Sequence, residues 1–345
     1  MSAQRNSSIE LLRIVCMLMV MTLHFNNHCA NPGLLGFPTQ LTGQYTMGYL
    51  IECFCIVAVN CFVLISGYFG IRLKISSVLR FYLQCMLIQV VAYLIYIGLS
   101  SATLQAQPLL DALLVFSKGQ CWFIVSYLCL MLVSPLLNAA VDALSKKQLL
   151  SSILLMGICV LYFGWYHDIE PTRDGYSFVF FVFLYLIGRY MGQHISHDWI
   201  RHHRWQMGIG YIVGSLLLFG LLMLRYHHGV VIRNVFHYDH PLVVINACFL
   251  LLMFLSFDFS NKTVNWIAGS VFAAYLFQEN IYLGDLYIYP TLADFFEQLS
   301  YGRELALLGI SIVFVGICVL LDKLIQCIIR ALLKLLSPLL SRLEH

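Results

Sequence analysis

Apolar residues fall in long runs along this chain, and short polar segments separate the runs. At about 1.5 Å of rise per residue, a helical run of roughly 20 residues crosses the hydrocarbon core of a bilayer. The runs do not show the alternation that marks the strands of a membrane barrel. The pattern predicts an all-α fold, a polytopic membrane helix bundle of about ten transmembrane helices at residues 9–28, 47–69, 79–99, 121–138, 149–166, 176–193, 207–225, 241–258, 265–283 and 305–328.

Composition supports a membrane protein. The chain of 345 residues is 60% hydrophobic and 11% charged, and its mean hydropathy is +0.82. A typical soluble domain has about 25% charged residues. The net charge of +3 does not indicate nucleic-acid binding. The cysteines lie mainly inside apolar runs and form no CxxC pair, so we interpret them as small apolar side chains and expect no disulfide framework.

Positive charge predicts the orientation. Lysine and arginine residues of the connecting segments concentrate on the side of both chain ends, as at Arg72, Lys74 and Lys146. Cytoplasmic loops carry such an excess, so we expect cytoplasmic N- and C-termini. Residues 1–328 are predicted to form a ten-helix membrane domain. Residues 329–345 are predicted to form a cytoplasmic amphipathic tail on the inner leaflet, because leucines recur there at helical spacing beside basic residues.

A cleaved signal peptide is the alternative for the first apolar run. The sequence Asn31-Pro32-Gly33 after Ala30 resembles a cleavage region. Charged residues inside the hydrophobic stretch are atypical of such a peptide, and losing the run would leave an odd number of spans. We therefore predict an uncleaved first helix.

Arg13 and His24 are the most informative pair. They stand eleven residues apart in the apolar segment IELLRIVCMLMVMTLHF. Eleven helical steps make about three turns, so both side chains share one face about 16 Å apart along the axis. Charged and titratable groups inside a membrane usually face a protein interior or a wet cavity. This spacing predicts intramembrane chemistry, although His24 could instead bond a carbonyl at the helix end and Arg13 could snorkel to the interface.

Several segments together resemble the acyltransferase 3 superfamily, integral membrane acyltransferases that modify cell-surface glycans. The chain is most similar to the branch associated with exopolysaccharide and O-antigen acylation. The resemblance rests on Arg13-x10-His24, Asn60–Phe69 (NCFVLISGYF), Trp122–Tyr127 with Ser134–Asn138, Phe178–Gly188 (FVFFVFLYLIG) and Ser270–Asn280 (SVFAAYLFQEN).

The resemblance implies an enzyme of a bacterial cell membrane, crossing it many times and surrounded by lipid. The donor would be acyl-CoA, most simply acetyl-CoA, and the acceptor a hydroxyl of a polysaccharide or lipid-linked glycan. No bound cofactor, metal or nucleic acid is expected, and the sequence indicates no particular oligomeric state. His24 would be catalytic, as a base or as a covalent acyl-histidine. Arg13 would hold the donor through a phosphate or the carbonyl of the pantetheine arm.

Two features depart from the family pattern. Many relatives carry an RxxR motif at the start of the third helix, whereas this chain has Arg80 followed by Gln84. Only Arg80, Lys74 and Arg72 then supply positive charge for donor binding. Relatives often have a histidine in the ninth helix, where this chain has Gln278.

Acceptor binding is assigned to Glu279, Asn280 and Trp122. Glu279 could alternatively orient His24, and Trp122 also fits an aromatic belt at the interface. The outer-loop histidines match no firm zinc pattern and are interpreted as a hydrated loop; they are His227, His228, His237 and His240.

Two other functions remain open. One is a transporter or flippase of a glycan precursor, with Arg13 and His24 as a charge or proton relay. The other is an acyltransferase that acts on a small cytoplasmic acceptor.

Overall fold

The computed structural model of the protein describes residues 6–36, 42–117, 121–167, 173–228 and 235–343. These ranges contain helices and no strands. The α-helices in chain order are α1 (Ser7–Phe25), α2 (Gly43–Cys55), α3 (Ala58–Phe69), α4 (Ile75–Ser100), α5 (Ala106–Leu113), α6 (Trp122–Ala143), α7 (Lys146–Cys159), α8 (Phe178–His194), α9 (His197–His202), α10 (Arg204–His228), α11 (Pro241–Leu255), α12 (Lys262–Ala268), α13 (Phe272–Gln278), α14 (Tyr289–Glu297) and α15 (Arg303–Leu343). Short π-helical segments follow α1, α7 and α13, at Asn26–Ala30, Val160–Tyr166 and Ile281–Ile288.

The all-α polytopic helix bundle is confirmed. Among the described residues, seven helical stretches are long and apolar enough to cross a membrane: Ser7–Ala30, Gly43–Phe69, Ile75–Ser100, Trp122–Ala143, Lys146–Gly164, Arg204–His227 and Arg303–Pro338. The other three predicted spans correspond to shorter or broken helices. They are α8 with 17 residues, α11 with 15 residues, and the α12–α13 pair.

The predicted span 265–283 is not one helix. The backbone leaves the helical pattern in the turn after Ala268, where Ser270 N–H donates to the Ile267 carbonyl at 2.9 Å. The backbone leaves the α-helical pattern a second time after Gln278. There the Asn280 side chain accepts from Leu283 N–H at 2.9 Å and begins the π-helical segment. These breaks place Glu279 at the end of a short helix.

Helix α1 occupies the centre of the bundle. It packs against α2, α3, α11, α12, α13 and α15, and its apolar side chains from Ile9 to Phe25 are largely buried. Its N-terminus is anchored, because Ser8 Oγ donates to the Phe254 carbonyl at 2.5 Å and Ser7 Oγ accepts from Asn261 N–H at 2.7 Å. We call the two ends of the bundle the Arg13 end and the His24 end, after the residues that α1 places nearer to each.

Helices α3 and α8 approach each other closely at glycines. A Cβ at Gly67 would lie 2.3 Å from the Tyr185 carbonyl oxygen, and one at Gly188 would lie 2.5 Å from the Leu64 carbonyl oxygen. Gly188 and Gly192 stand four residues apart, as in the small-xxx-small pattern that lets membrane helices pack backbone to backbone. Because the facing atoms are backbone, a side chain at these positions cannot be accommodated by rotating a neighbour.

Gly188→Ala is therefore expected to destabilise the protein by about 1–3 kcal/mol, the usual cost of overpacking. The measurement is the midpoint of thermal unfolding in detergent, taken from the loss of the monodisperse peak in size-exclusion chromatography after heating. Gly98→Ala on α4 is the matched control, since no atom lies within 4 Å of its added Cβ. An unchanged midpoint in Gly188→Ala would contradict the close approach.

The chain segment before α11 is held in place by main-chain contacts. Tyr238 N–H donates to the Asp174 carbonyl at 3.1 Å, and Asn60 Nδ2 donates to the Tyr238 carbonyl at 2.9 Å. His240 caps α11, because its Nδ1 accepts from Leu242 N–H at 3.2 Å. Burial, together with neighbouring His237, lowers the pKa of His240 to about 4, so the capping imidazole stays neutral at physiological pH.

The predicted boundary between membrane domain and tail falls inside α15, which runs from Arg303 to Leu343 without a break. The tail is thus a continuation of the last helix. Its position on a membrane surface stays a prediction. Residues 1–5 and 344–345 of the two predicted domains lie outside the described residues.

Candidate active site

Arg13 and His24 line one cavity. Its volume is about 260 Å³, and its wall comes from α1, α3, α4, α6, α12, α13 and the segment before α11. Most of the wall is aromatic, including Phe62, Phe123 and Tyr275. The predicted shared face of the two residues is confirmed, because α1 is helical throughout the interval between them. The cavity therefore connects a guanidinium and an imidazole through an apolar space.

His24 lies in the last turn of α1, against the end of α13. Its Nδ1 is 3.3 Å from Glu279 Oε1 and 3.5 Å from the Tyr289 hydroxyl. The two side chains of the pair are mostly buried, at 25% exposed for His24 and 19% for Glu279. Glu279 is not among the residues that line the cavity. Of the two roles predicted for Glu279, this geometry favours orienting His24 over binding a sugar hydroxyl.

The contact with Glu279 determines what His24 can do. An imidazole that donates Nδ1–H to a carboxylate keeps the lone pair on Nε2, and the carboxylate stabilises the cation that forms when Nε2 takes a proton. Such a pair can act as a general base or as a nucleophile. The site thus supplies a base at one end of an apolar cavity.

Sequence reasoning missed Tyr289 and the role of Gln278. Gln278 Nε2 contacts the Tyr289 hydroxyl and donates to Glu279 Oε1 at 3.1 Å, so it helps to hold the carboxylate. The Tyr289 ring stacks on His28, with centroids 4.3 Å apart. His28 was visible as a histidine one helical turn beyond His24. No local pattern singles out Tyr289, which reaches the site only because α14 folds back onto Asn26–Ala30.

Glu52 is a second residue that was missed. It lies in an apolar span, is 1% exposed, and accepts hydrogen bonds from Asn26 Nδ2 at 2.7 Å and Asn27 Nδ2 at 3.1 Å. An acid inside a membrane span is a recognisable signal in the sequence. Glu52 fixes the π-helical segment that follows His24, and so supports the end of α1 that carries the imidazole.

Arg13 forms an ion pair with Glu10 at the cavity. Its guanidinium lies 2.5 Å from Glu10 Oε1, one helical turn earlier. Glu10 is nearly buried, with 4% of its side chain exposed, whereas Arg13 keeps 31%. The ion pair holds the guanidinium at the cavity and leaves its remaining N–H donors for a ligand.

The other predicted donor-binding residues lie elsewhere. Arg72, Lys74 and Arg80 are exposed, and none of them lines the cavity. They follow the second span, where the chain has returned to the Arg13 end. Phe81, next to Arg80 in the sequence, is the residue through which α4 lines the cavity. Their contact with a donor nucleotide stays a prediction.

The predicted acceptor residues separate into different environments. Trp122 lies on the cavity wall, with its ring centroid 4.5 Å from Tyr176 and 5.7 Å from Tyr238. Asn280 is 5% exposed, and its Nδ2 donates to Gln89 Oε1 at 2.6 Å. It borders a second cavity of about 20 Å³. Asn280 is thus placed as a helix cap, which gives its acceptor-binding assignment no support.

The comparison with known families agrees with this arrangement. The sequence matches the acyltransferase domain family over residues 6–323, from the residue before α1 into α15. The chain belongs to the acyltransferase 3 family. No curated protein and no solved structure matches it. The protein is accordingly a multi-pass membrane acyltransferase, and the matched region includes Arg13, His24 and Glu279.

In this acyltransferase, Glu279→Gln is expected to lower kcat by about 10- to 100-fold if His24 is the base, the range found when a carboxylate that orients a metal-bound histidine is removed. The KM for the acyl donor should stay within about threefold, since Glu279 does not line the cavity. Glu279→Asp should restore part of the rate, because it keeps the carboxylate. Equal kcat values for the wild type and Glu279→Gln would contradict the positioning role.

Proposed function

We propose that the protein is an O-acyltransferase that moves an acyl group, in the simplest case acetyl, from acyl-CoA to a hydroxyl of a cell-surface or lipid-linked polysaccharide. One observation carries the proposal: a single apolar cavity joins a guanidinium to an imidazole whose Nδ1 contacts a carboxylate. A family of acyltransferases supplies the reaction class.

The direct route brings the thioester and the acceptor hydroxyl together in the cavity beside the imidazole of His24, which Glu279 contacts from outside the cavity. His24 Nε2 takes the proton of the acceptor hydroxyl as its oxygen attacks the thioester carbonyl. The tetrahedral intermediate then collapses, the carbon–sulfur bond breaks, and the leaving CoA thiolate receives the proton from His24. Glu279 stabilises the imidazolium between these two proton transfers. An apolar wall strengthens this interaction because it excludes water.

A covalent route uses the same atoms. His24 Nε2 attacks the thioester carbonyl, the carbon–sulfur bond breaks, and CoA leaves as the thiolate, which takes a proton from water. The oxygen of the acceptor hydroxyl then attacks the acyl-imidazole, the bond between Nε2 and the acyl carbon breaks, and the hydroxyl proton passes to the freed Nε2 and from there to water. The two routes differ in what happens without an acceptor. A mass increase of one acyl group on the peptide that contains His24, seen after mixing protein and donor alone, would indicate the covalent route.

The donor is assigned to the Arg13 end. Cytoplasmic segments are rich in lysine and arginine, and Arg72, Lys74 and Arg80 lie at that end of the bundle. A cytoplasmic acyl-CoA would then place its thioester in the cavity, and His24 would face the side on which glycans are assembled or exported. The protein would be a multi-pass protein of a bacterial cell membrane.

The size of the cavity supports acyl transfer over glycan transport. Sites for drug-sized ligands occupy about 300–1,000 Å³, and this cavity has about 260 Å³. It suits a slender thioester arm with a short acyl group. A path for a glycan precursor would have to be much wider.

Mass spectrometry of surface polysaccharide provides the test. Cells that produce the protein should carry acyl groups on sugar hydroxyls, and cells without it should lack them. Inside-out membrane vesicles with acetyl-CoA should release CoA over repeated turnovers only when the glycan acceptor is present, since the covalent route without acceptor releases at most one CoA per chain. Identical polysaccharides in both strains would refute the assigned acceptor, and CoA release with a small soluble acceptor alone would favour the cytoplasmic alternative.

A further inference from the structure

Two hydrogen-bonded hydroxyl groups lie on the wall of the cavity, in addition to Arg13 and His24. Ser66 on α3 and Tyr127 on α6 both line the cavity, and Ser66 Oγ is 3.0 Å from the Tyr127 hydroxyl oxygen. Both residues are half-buried. We call these two residues the hydroxyl pair. The pair places polar atoms on a wall that is mostly aromatic.

The proton between the two hydroxyl groups belongs to Tyr127. A serine hydroxyl has one proton, and Ser66 Oγ donates it to the Phe62 carbonyl at 2.9 Å, one helical turn earlier. The Tyr127 hydroxyl must therefore donate to Ser66 Oγ. Within the described part of the chain, Ser66 is the hydrogen-bond partner of this hydroxyl. The Tyr127 oxygen thus keeps lone pairs that can accept a hydrogen bond from a ligand.

Aromatic packing holds the Tyr127 ring in place. The ring stacks on Phe123 with centroids 5.7 Å apart and an interplanar angle of 10°, and Phe81 on α4 lies 5.9 Å from it. Both neighbours also line the cavity. Because the ring is packed against two others and its proton is bound to Ser66, the oxygen is a preorganised acceptor that loses little freedom when a ligand binds.

The hydroxyl pair lies on the path that a donor arm would follow from the Arg13 end. Ser66 is three residues before Phe69, where α3 ends on the side of the bundle that carries Arg72 and Arg80. Tyr127 packs on Phe81, which stands in the second turn of α4 as that helix leaves the same side. A ligand that reaches from Arg13 to His24 would therefore pass the Tyr127 oxygen.

The pantetheine arm of acyl-CoA needs a hydrogen-bond acceptor along this path. The arm carries two secondary amides between its thioester and its phosphates. An amide that leaves water for apolar surroundings is destabilised unless a new hydrogen bond replaces those to water. The guanidinium of Arg13 can only donate, so it cannot serve an amide N–H. The Tyr127 oxygen supplies the missing acceptor.

We propose that the Tyr127 hydroxyl, oriented by Ser66, accepts a hydrogen bond from an amide N–H of the pantetheine arm. The proposal rests on the proposed function, because it takes acyl-CoA as the donor. The contact makes Tyr127 a binding residue that favours pantetheine thioesters over thioesters without an amide. It takes no part in the bond changes of acyl transfer.

Binding of CoA to the purified full-length protein in detergent, measured by isothermal titration calorimetry, tests the contact. Tyr127→Phe keeps the ring and removes the oxygen, and should raise the Kd of CoA about tenfold, because a buried amide loses its acceptor. Ser66→Ala should raise the Kd less, since the Tyr127 hydroxyl remains. Tyr82→Phe is the matched control and should bind CoA as the wild type does. The Tyr82 hydroxyl donates to the Leu113 carbonyl at 2.9 Å, and Tyr82 does not line the cavity.

Two analogues of CoA test the same hydrogen bond from the side of the ligand. In each analogue, one amide N–H of the arm is replaced by an ester oxygen. The wild-type protein should bind one of them about tenfold more weakly than CoA. Tyr127→Phe should bind that analogue and CoA equally. This coupling distinguishes a hydrogen bond to the arm from a general change in packing.

Equal Kd values for CoA in the wild type and Tyr127→Phe would overturn this proposal alone and leave the proposed acyl transfer intact. The same holds if Tyr127→Phe weakens CoA and both analogues by one factor. Should Tyr127→Phe fail to fold, equal binding of CoA and both analogues to the wild type would overturn the proposal. Coupled loss of CoA binding, together with polysaccharide that carries no acyl groups, would support the contact and refute the proposed acceptor. A wild-type protein that binds no CoA would overturn both proposals.

Discussion

His24→Ala is expected to lower acyl transfer by about 10²- to 10⁴-fold, the range usually lost with a general acid–base group. The physical reason is that Nε2 of His24 is the base or nucleophile in the proposed mechanism, and alanine leaves Glu279 with no imidazole to orient. The measurement is the initial rate of CoA release with the glycan acceptor, in vesicles matched for protein level.

His197→Ala is the matched control, because His197 is an exposed histidine on α9 and does not line the cavity. It should retain the wild-type rate. Both variants should show the same elution profile in detergent, which separates loss of chemistry from loss of fold. A wild-type rate in His24→Ala would remove the basis of the proposed mechanism.

Arg13→Ala is expected to lower kcat/KM for acyl-CoA by about 10²-fold, since losing a charge-assisted contact in a desolvated site typically costs about 2–5 kcal/mol. Most of the effect should fall on KM, because Arg13 is proposed to bind the donor and lies about 16 Å along the helix axis from His24. The kcat/KM of Arg13→Lys should lie between those of the wild type and Arg13→Ala, since lysine keeps the charge but lacks the planar guanidinium.

Glu10 complicates this variant, because Arg13→Ala removes its ion-pair partner from a nearly buried position. The double variant Glu10→Gln with Arg13→Ala removes both charges and should recover stability without recovering KM. Glu10→Gln alone should bind the donor at least as well as the wild type. If the double variant recovers the KM of the wild type, Arg13 supports the fold and does not bind the donor.

The sequence predicted what depends on helical periodicity. The shared face of Arg13 and His24 follows from the rise and turn of one helix, and it is confirmed by the cavity that both line. The number and order of apolar runs likewise predicted a helix bundle, since each run must satisfy its own backbone in lipid. Both results depend on local geometry, which a sequence carries directly.

The partner of His24 depends on a different kind of information. Glu279 reaches His24 because the chain breaks after Gln278 and α13 packs against α1. Hydropathy alone predicts a continuous span there, since a short interruption barely changes its average. The acceptor-binding assignment of Asn280 found no support, because the same chain break uses its side chain to begin a helical segment. In the sequence, such a capping side chain cannot be distinguished from a polar residue that binds a ligand.

For Glu52, one part of its role was predictable from the sequence and the other part was not. Its presence in an apolar run was visible in the sequence, and its importance was predictable from the cost of an acid in lipid. Its partners were not, because Asn26 and Asn27 belong to a π-helical segment that no periodic pattern indicates.

Because a single helix carries both Arg13 and His24, the register of α1 determines how far apart the proposed donor contact and the proposed base lie. Inserting one alanine after Val20 would turn His24 about 100° away from the cavity while Arg13 stayed in place. Inserting four would return it to within about 40° of its original direction and move it roughly 6 Å further along the axis. If Arg13 holds the donor as proposed, the thioester would then no longer reach His24, and the four-residue insertion should abolish acyl transfer although both side chains remain on similar faces of α1.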